Sequence, residues 1–164
     1  MVVNAFKNFF RRVFSGIFRG KRELKLGFYG PPNAGKTSLA NRICKDFTGE
    51  DIGVVSKIPH ETRTVQFKEK VQIDYKGKKM MFKIIDTPGI TTKIDYEDFL
   101  KYKMKKKEAK QRAKEATQGV VESIKWLDDM DVVVIVLDAT ENPYNQVNLT
   151  IIGNLVARKI PMLI

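Results

Sequence analysis

The chain has one cysteine, one histidine and no apolar run that could cross a bilayer. Cys44 alone cannot form a disulfide within the chain, so there is no disulfide partner and a reducing, cytoplasmic setting is predicted. It falls beside Leu39, Ala40 and Phe47 on a predicted helix and reads as a core residue rather than a reactive thiol. His60 sits in a stretch without a period and reads as a loop residue rather than a catalytic base. The longest central apolar run, Val132 to Leu137, has strand length. Acidic residues are also scarce: 19 Asp and Glu face 30 Lys and Arg, for a net charge of +11. That excess predicts a polyanionic neighbour, either RNA, a ribosome or an anionic membrane surface. The alternative is a basic surface that only keeps the chain soluble.

What is present is enough for one folded domain: 164 residues, 43% of them hydrophobic. Residues 1–22 stand apart, with Lys7, Arg11, Arg12, Arg19, Lys21 and Arg22 and no acid. Phe6, Phe9, Phe10, Val13, Phe14, Ile17 and Phe18 are spaced by threes and fours, which predicts a basic amphipathic helix. Such a helix suits an anionic membrane surface, a groove on protein, or RNA. The continuous apolar segment that a secretory or twin-arginine signal requires is missing.

From Glu23 the pattern alternates strand and helix. Leu24 to Tyr29 predicts the first core strand, and a helix follows from Gly35 to about Phe47. Asp51 to Gln66 has no strong period and reads as a mobile loop. Val71–Tyr75 and Met80–Ile85 flank Lys76-Gly77-Lys78-Lys79, a hairpin signal. Beyond Gly89, small and apolar positions at 109, 113, 116, 120, 124 and 127 predict one long helix ending near Leu127. Between Lys101 and Lys114 there are eight basic residues and one acid, Glu108. This basic first half is expected to project into solvent or onto a partner. Val132 to Leu137 reads as a strand buried on both faces, followed by a helix from about Tyr144 to Arg158 and a further strand from Ile160. The whole predicts a three-layer α/β sheet, mostly parallel with one antiparallel hairpin strand. In such sheets ligands bind beyond the carboxyl ends of the strands.

Two motifs lie at those ends. Gly30-Pro31-Pro32-Asn33-Ala34-Gly35-Lys36-Thr37 fits the phosphate-binding loop pattern and lies between a strand and a helix, where that loop belongs. Amides from Asn33 to Thr37 would cradle phosphate oxygens at the helix N-terminus, continuing into Ser38. Lys36 would supply charge to the β- and γ-phosphates, and the Thr37 hydroxyl suits Mg²⁺. Asp86, in Ile85-Asp86-Thr87-Pro88-Gly89, would anchor Mg²⁺ through a water, and the Gly89 amide could reach the γ-phosphate. Thr62 in the intervening loop is a further candidate for Mg²⁺ and γ-phosphate sensing, with Thr64 as its rival. Arg63 reads as a surface residue. The candidate nucleotide-binding residues are therefore Gly30, Asn33, Ala34, Gly35, Lys36, Thr37, Ser38, Asp86 and Gly89. The metal candidates are Thr37, Thr62 and Asp86, and the catalytic ones Lys36, Thr62 and Gly89.

Pro32-Asn33-Ala34-Gly35-Lys36-Thr37, Thr62-Arg63 and Asp86-Thr87-Pro88-Gly89 together resemble the Era/Der/TrmE-like GTPases of the translation-factor-related class, in particular an archaeal Era-like GTP-binding protein. Val136-Leu137-Asp138-Ala139-Thr140 looks like the family's next strand end. The resemblance covers about Glu23 to Ile164, which divides the chain into residues 1–22 and a P-loop GTPase domain over 23–164. It implies slow GTP hydrolysis to GDP with Mg²⁺, a switch acting with ribosomes or structured RNA, and a hydrophobic residue, here Ile90, where other GTPases keep a catalytic glutamine. It also implies that Asn33 could help hold a stimulatory K⁺. The family's Asn-Lys-x-Asp guanine motif does not follow Ile160–Ile164, so the expectation is a front part of a longer protein, with GTP over ATP resting on the resemblance. A P-loop ATPase, or a recruitment module whose main work is contact with RNA or membrane, are the competing readings.

Overall fold

The computed structural model describes residues 23–48, 64–75 and 78–164. The predicted helix over 1–22, His60, Thr62, Arg63 and Gly77 lie outside the described residues, as does the side chain of Phe47.

Five strands form one sheet in the order β2-β3-β1-β4-β5. They are β1 (Glu23–Tyr29), β2 (Gln66–Tyr75), β3 (Lys78–Asp86), β4 (Val132–Ile135) and β5 (Met162–Leu163). Between them run α1 (Lys36–Thr48), the short α2 (Tyr96–Leu100), α3 (Lys106–Trp126) and α4 (Gln146–Ala157). A single 3₁₀ turn, Leu127–Asp129, leads into β4. β1 pairs in parallel with β3 and β4, and β4 with β5, while β2 runs antiparallel to β3. This is the expected mostly parallel α/β sheet with one hairpin strand. β2 is longer than its apolar run suggested, starting at Gln66 with a register shift between Lys68 and Val71.

The period of two along the strands divides the core into two layers. Leu24, Leu26 and Phe28 of β1 join Phe82, Ile84, Val132 and Val134 under Ala40, Ile43 and Cys44 of α1. Cys44 is wholly buried there, as its neighbours implied. On the opposite face Tyr29, Ile85, Val133 and Ile135 meet Leu127 and, from α4, Ile151 and Leu155. The strand 132–135 is thus buried on both sides. The register sets Phe28 beside Asp86 and Tyr29 beside Ile135. The loops after β1 and β3 therefore leave the sheet as neighbours.

The segment after Gly89 departs from expectation. The predicted long helix is present and unbroken as α3, Lys106–Trp126, but a separate short helix precedes it: α2 ends at Leu100, the Tyr102 and Lys103 amides donate to the carbonyls of Phe99 and Leu100, and Lys103 takes φ 62. α3 starts afresh at Lys106. Its first half does not stand free on all sides, because Ala109 and Ala116 bury a stripe against Phe99 of α2, with Ile94, Tyr96 and Met104 around them. Arg112, on the same stretch, is buried as well. The small residues that made this stripe look weakly apolar are the ones that admit a helix at close range. Among the described residues no helix is long and apolar enough to cross a membrane.

Candidate nucleotide-phosphate site

The site is built where β1 and β3 end. Gly30 turns the chain at φ 153, and a Cβ there would lie 2.1 Å from the Val136 carbonyl oxygen, so only glycine fits beside the end of β4. The Val136 amide donates to Tyr29 O at 2.8 Å, which holds the two strand ends together. The loop then passes through Asn33 at φ 60 and Gly35 at φ 90 before α1 opens at Lys36. Asparagine is among the few side chains that tolerate that left-handed conformation.

Lys36 is 6% exposed and folds back over its own loop, its Nζ donating to the Pro31 carbonyl at 2.7 Å. Burial lowers its pKa from 10.5 to about 8, while the Asp86 charge pulls the other way. Thr37 Oγ1 donates to Asp86 Oδ2 at 2.6 Å. Asp86 is wholly buried; burial raises its pKa, opposed by the Thr37 hydrogen bond, the Lys36 charge and the Thr87 backbone. Asp86 Oδ1 has no hydrogen-bond partner among the described residues. A buried carboxylate oxygen left without a donor is costly. Next to a threonine hydroxyl it forms the hard-oxygen donor set that Mg²⁺ prefers, so these residues fit the ion.

The loop after β3 is clamped onto the loop after β1. Thr87 Oγ1 donates to Phe28 O at 2.6 Å, and the Ile90 amide donates to Gly30 O at 3.0 Å. A Cβ on Gly89 would come within 2.6 Å of Pro32 Cα, so the two loops touch backbone to backbone. Ile90 is buried in the cluster of Tyr29 and Leu127. From α3, Ser123 Oγ reaches Pro88 O at 3.1 Å, while Tyr29 Oη donates to Ser123 O at 3.0 Å. Burial first, then Asp129, raises the Tyr29 pKa and keeps that phenol a donor.

The fold thus brings Gly30, Asn33, Ala34, Gly35, Lys36 and Thr37 together with Asp86 and Gly89. Ser38 lies exposed on the first turn of α1. Thr64 is exposed just before β2. Asp138 is not drawn in: its Oδ1 accepts from the Thr140 amide and hydroxyl in a turn of its own. Residue-level reading missed the Pro31 carbonyl, the Thr87 hydroxyl and Ser123. Thr87 had the signal of lying inside the Asp-Thr-Pro-Gly stretch; the other two had none.

A profile described as 50S ribosome-binding GTPase matches residues 25–164. GTPase Der of Fusobacterium nucleatum is 36% identical over 118 residues, covering 72% of this chain and 21% of its own length. GTPase Der of Aquifex aeolicus is 31% identical over 123 residues, covering 75% of this chain and 23% of its own. The chain therefore spans about a fifth of the length of the curated relatives it matches. Among solved structures, Era of Aquifex aeolicus bound to GDP·AlF4⁻ superimposes with a TM-score of 0.62 at 17% identity, over 87% of this chain and 40% of that one. Era in complex with MgGDPNP and a 16S ribosomal RNA segment gives 0.59 at 17% identity, over 87% and 39%. The fold is that of the Era GTPase domain, and by its sequence the chain belongs to the 50S ribosome-binding GTPase family.

Proposed function

We propose that this chain binds GTP, hydrolyses it slowly to GDP and phosphate, and uses the γ-phosphate to set the position of the loop after β3. The observation that carries the reading is the convergence of Lys36, Thr37 and Asp86, with an unsatisfied carboxylate oxygen, at the end of the two central strands. The amides from Asn33 to Thr37 receive the β-phosphate. Lys36 exchanges the Pro31 carbonyl for β- and γ-phosphate oxygens, so that its charge is met by an anion rather than a dipole. Thr37 and Asp86 would hold Mg²⁺, Asp86 through a water, and the ion would supply neutralisation of phosphate charge there. Gly89 offers its amide to the γ-phosphate, and Thr62, which precedes β2 in sequence, adds a second contact. Ile90, turned into the core, cannot orient the attacking water. Turnover is therefore slow, with Asn33 contributing to a stimulatory K⁺ site.

Lys36→Ala tests the reading by calorimetric titration with GTP and Mg²⁺. The expected result is loss of binding with an unchanged circular dichroism spectrum; wild-type affinity overturns the site. ATP competing as well as GTP would favour an ATPase instead. Equal turnover in K⁺ and Na⁺ would remove the role given to Asn33. The switch acts on structured RNA or a ribosome, a reading supported by the solved Era complex with 16S ribosomal RNA and by the net charge of +11. Residues 1–22 add an anionic-membrane contact, tested by vesicle binding before and after their deletion.

A further inference from the structure

Resting on the reading that the switch acts on RNA, we propose that the turn between α2 and α3 and the first turns of α3 are the RNA-docking surface. Lys103, Lys105, Lys106, Lys107, Lys110 and Lys114 are all exposed here. Lys107, Lys110 and Lys114 fall on one helical face. Lys101 is neutralised by Asp98 at 2.7 Å. Lys103, Lys105, Lys106, Lys107 and Lys114 form no ion pair among the described residues.

Three local rules are broken at this one place, each by a lysine. Lys103 adopts the left-handed conformation at φ 62, where glycine or asparagine costs least. Lys105 is the N-cap of α3 and makes no side-chain capping bond, where Ser, Thr, Asp or Asn would be favoured. Lys106 and Lys107 load positive charge onto the positive end of the helix dipole. In addition, Lys106, Lys110 and Lys114 repeat like charge at intervals of four, which repels. Stability alone selects against every one of these choices, and violations concentrated in one patch mark a surface kept for a partner. The partner must be strongly anionic.

RNA fits better than a lipid surface. Phe99, Ala109 and Ala116 of this hairpin are turned inward, and between them only Leu100 and Tyr102 are large apolar side chains left exposed, too little to insert into a bilayer. At the tip, Tyr102 is 42% exposed between Lys101 and Lys103, an aromatic face set among cations. That combination suits phosphates along a stem and an unstacked base in a loop.

The test uses the whole chain and a fluorescein-labelled RNA stem-loop, titrated over a range of KCl concentrations. K106Q/K107Q/K110Q is compared with K45Q/K125Q/K159Q, an equal charge change at exposed lysines elsewhere. The first triple variant should flatten the slope of log affinity against log salt by about 2 to 3, and the control by much less. Tyr102→Ala should weaken binding roughly tenfold with the slope unchanged. Equal slopes for the two triple variants would overturn the placement while leaving RNA binding intact. A wild-type chain that ignores the stem-loop would overturn the RNA reading as well, and capture by phosphatidylserine vesicles that survives deletion of residues 1–22 but is lost in K106Q/K107Q/K110Q would assign the patch to membrane. GTP affinity, expected to be unchanged in every variant, separates these failures from failure of the nucleotide site.

Discussion

The two loaded regions of this molecule handle positive charge in opposite ways. Around Lys36 a single ammonium is buried, met by the Pro31 carbonyl within the field of the Asp86 charge, and framed by backbone that only particular residues allow. Around Lys106 several ammonium groups are crowded together in solvent, on a helix end that disfavours them. The first arrangement selects one ligand by geometry, because its donors converge. The second offers density of charge without a fixed point, which suits a partner read by its backbone. Coupling a small anion to a large one, as the proposed function requires, would need both kinds.

The comparison breaks first at Gly30. Gly30→Ala forces a methyl group against the Val136 carbonyl and should cost about 3 kcal/mol, lowering the thermal midpoint by roughly 6–12 °C. An unchanged melting curve would mean that the strand ends are not clamped as described. Lys36→Ala should leave the melt close to wild type but weaken GTP binding at least a hundredfold, about 3 kcal/mol, because the ligand's charge then lacks its buried counterpart.

A smaller effect separates the regions by pH. Lys36 is pushed down from 10.5 to about 8, so the free site loses its proton above that value while a bound phosphate would retain it. GTP affinity should be level below about pH 8 and fall by up to tenfold per unit above it. Folding stability should move the other way. The cost of the buried ammonium is complete below the folded pKa and is relieved as pH rises from about 8 toward 10.5. RNA affinity, carried by exposed lysines, should show no step near pH 8. Parallel pH curves for the two ligands would erase the distinction. The smallest effect lies at Lys103, where Lys103→Gly should stabilise the fold by about 1 kcal/mol, read as a rise of roughly 2–4 °C.

The place of the candidate phosphate site was legible because phosphate recognition would be written in the backbone, and backbone demands leave residue types behind. Gly30, Gly35, Lys36, Thr37 and Asp86 could be placed from spacing alone, and the buried period of Leu24, Leu26 and Phe28 announced the strand that carries them. The partners supplied by carbonyls, Pro31 and Pro88, could not be read, since every residue has a carbonyl and only the fold aims it. Ser123 was hidden for the same reason: a serine mid-helix has no signature until the Pro88 carbonyl arrives. The break between α2 and α3 escaped because neither glycine nor proline marks it. Lysines occupy the turn, and the helical period read from the sequence begins only beyond it, at Ala109.

The hydroxyl of Ser123 has a mechanical meaning. It pins α3 to the loop after β3, near one end of a 21-residue rod. Lys106 lies about 25 Å away along that rod, by the rise of an α-helix. A tilt of about 10° at the pin would sweep the far end through about 4 Å over that distance. On the proposed function, gaining or losing one phosphoryl group at the pivot would be geared up into a displacement large enough for a macromolecule to feel.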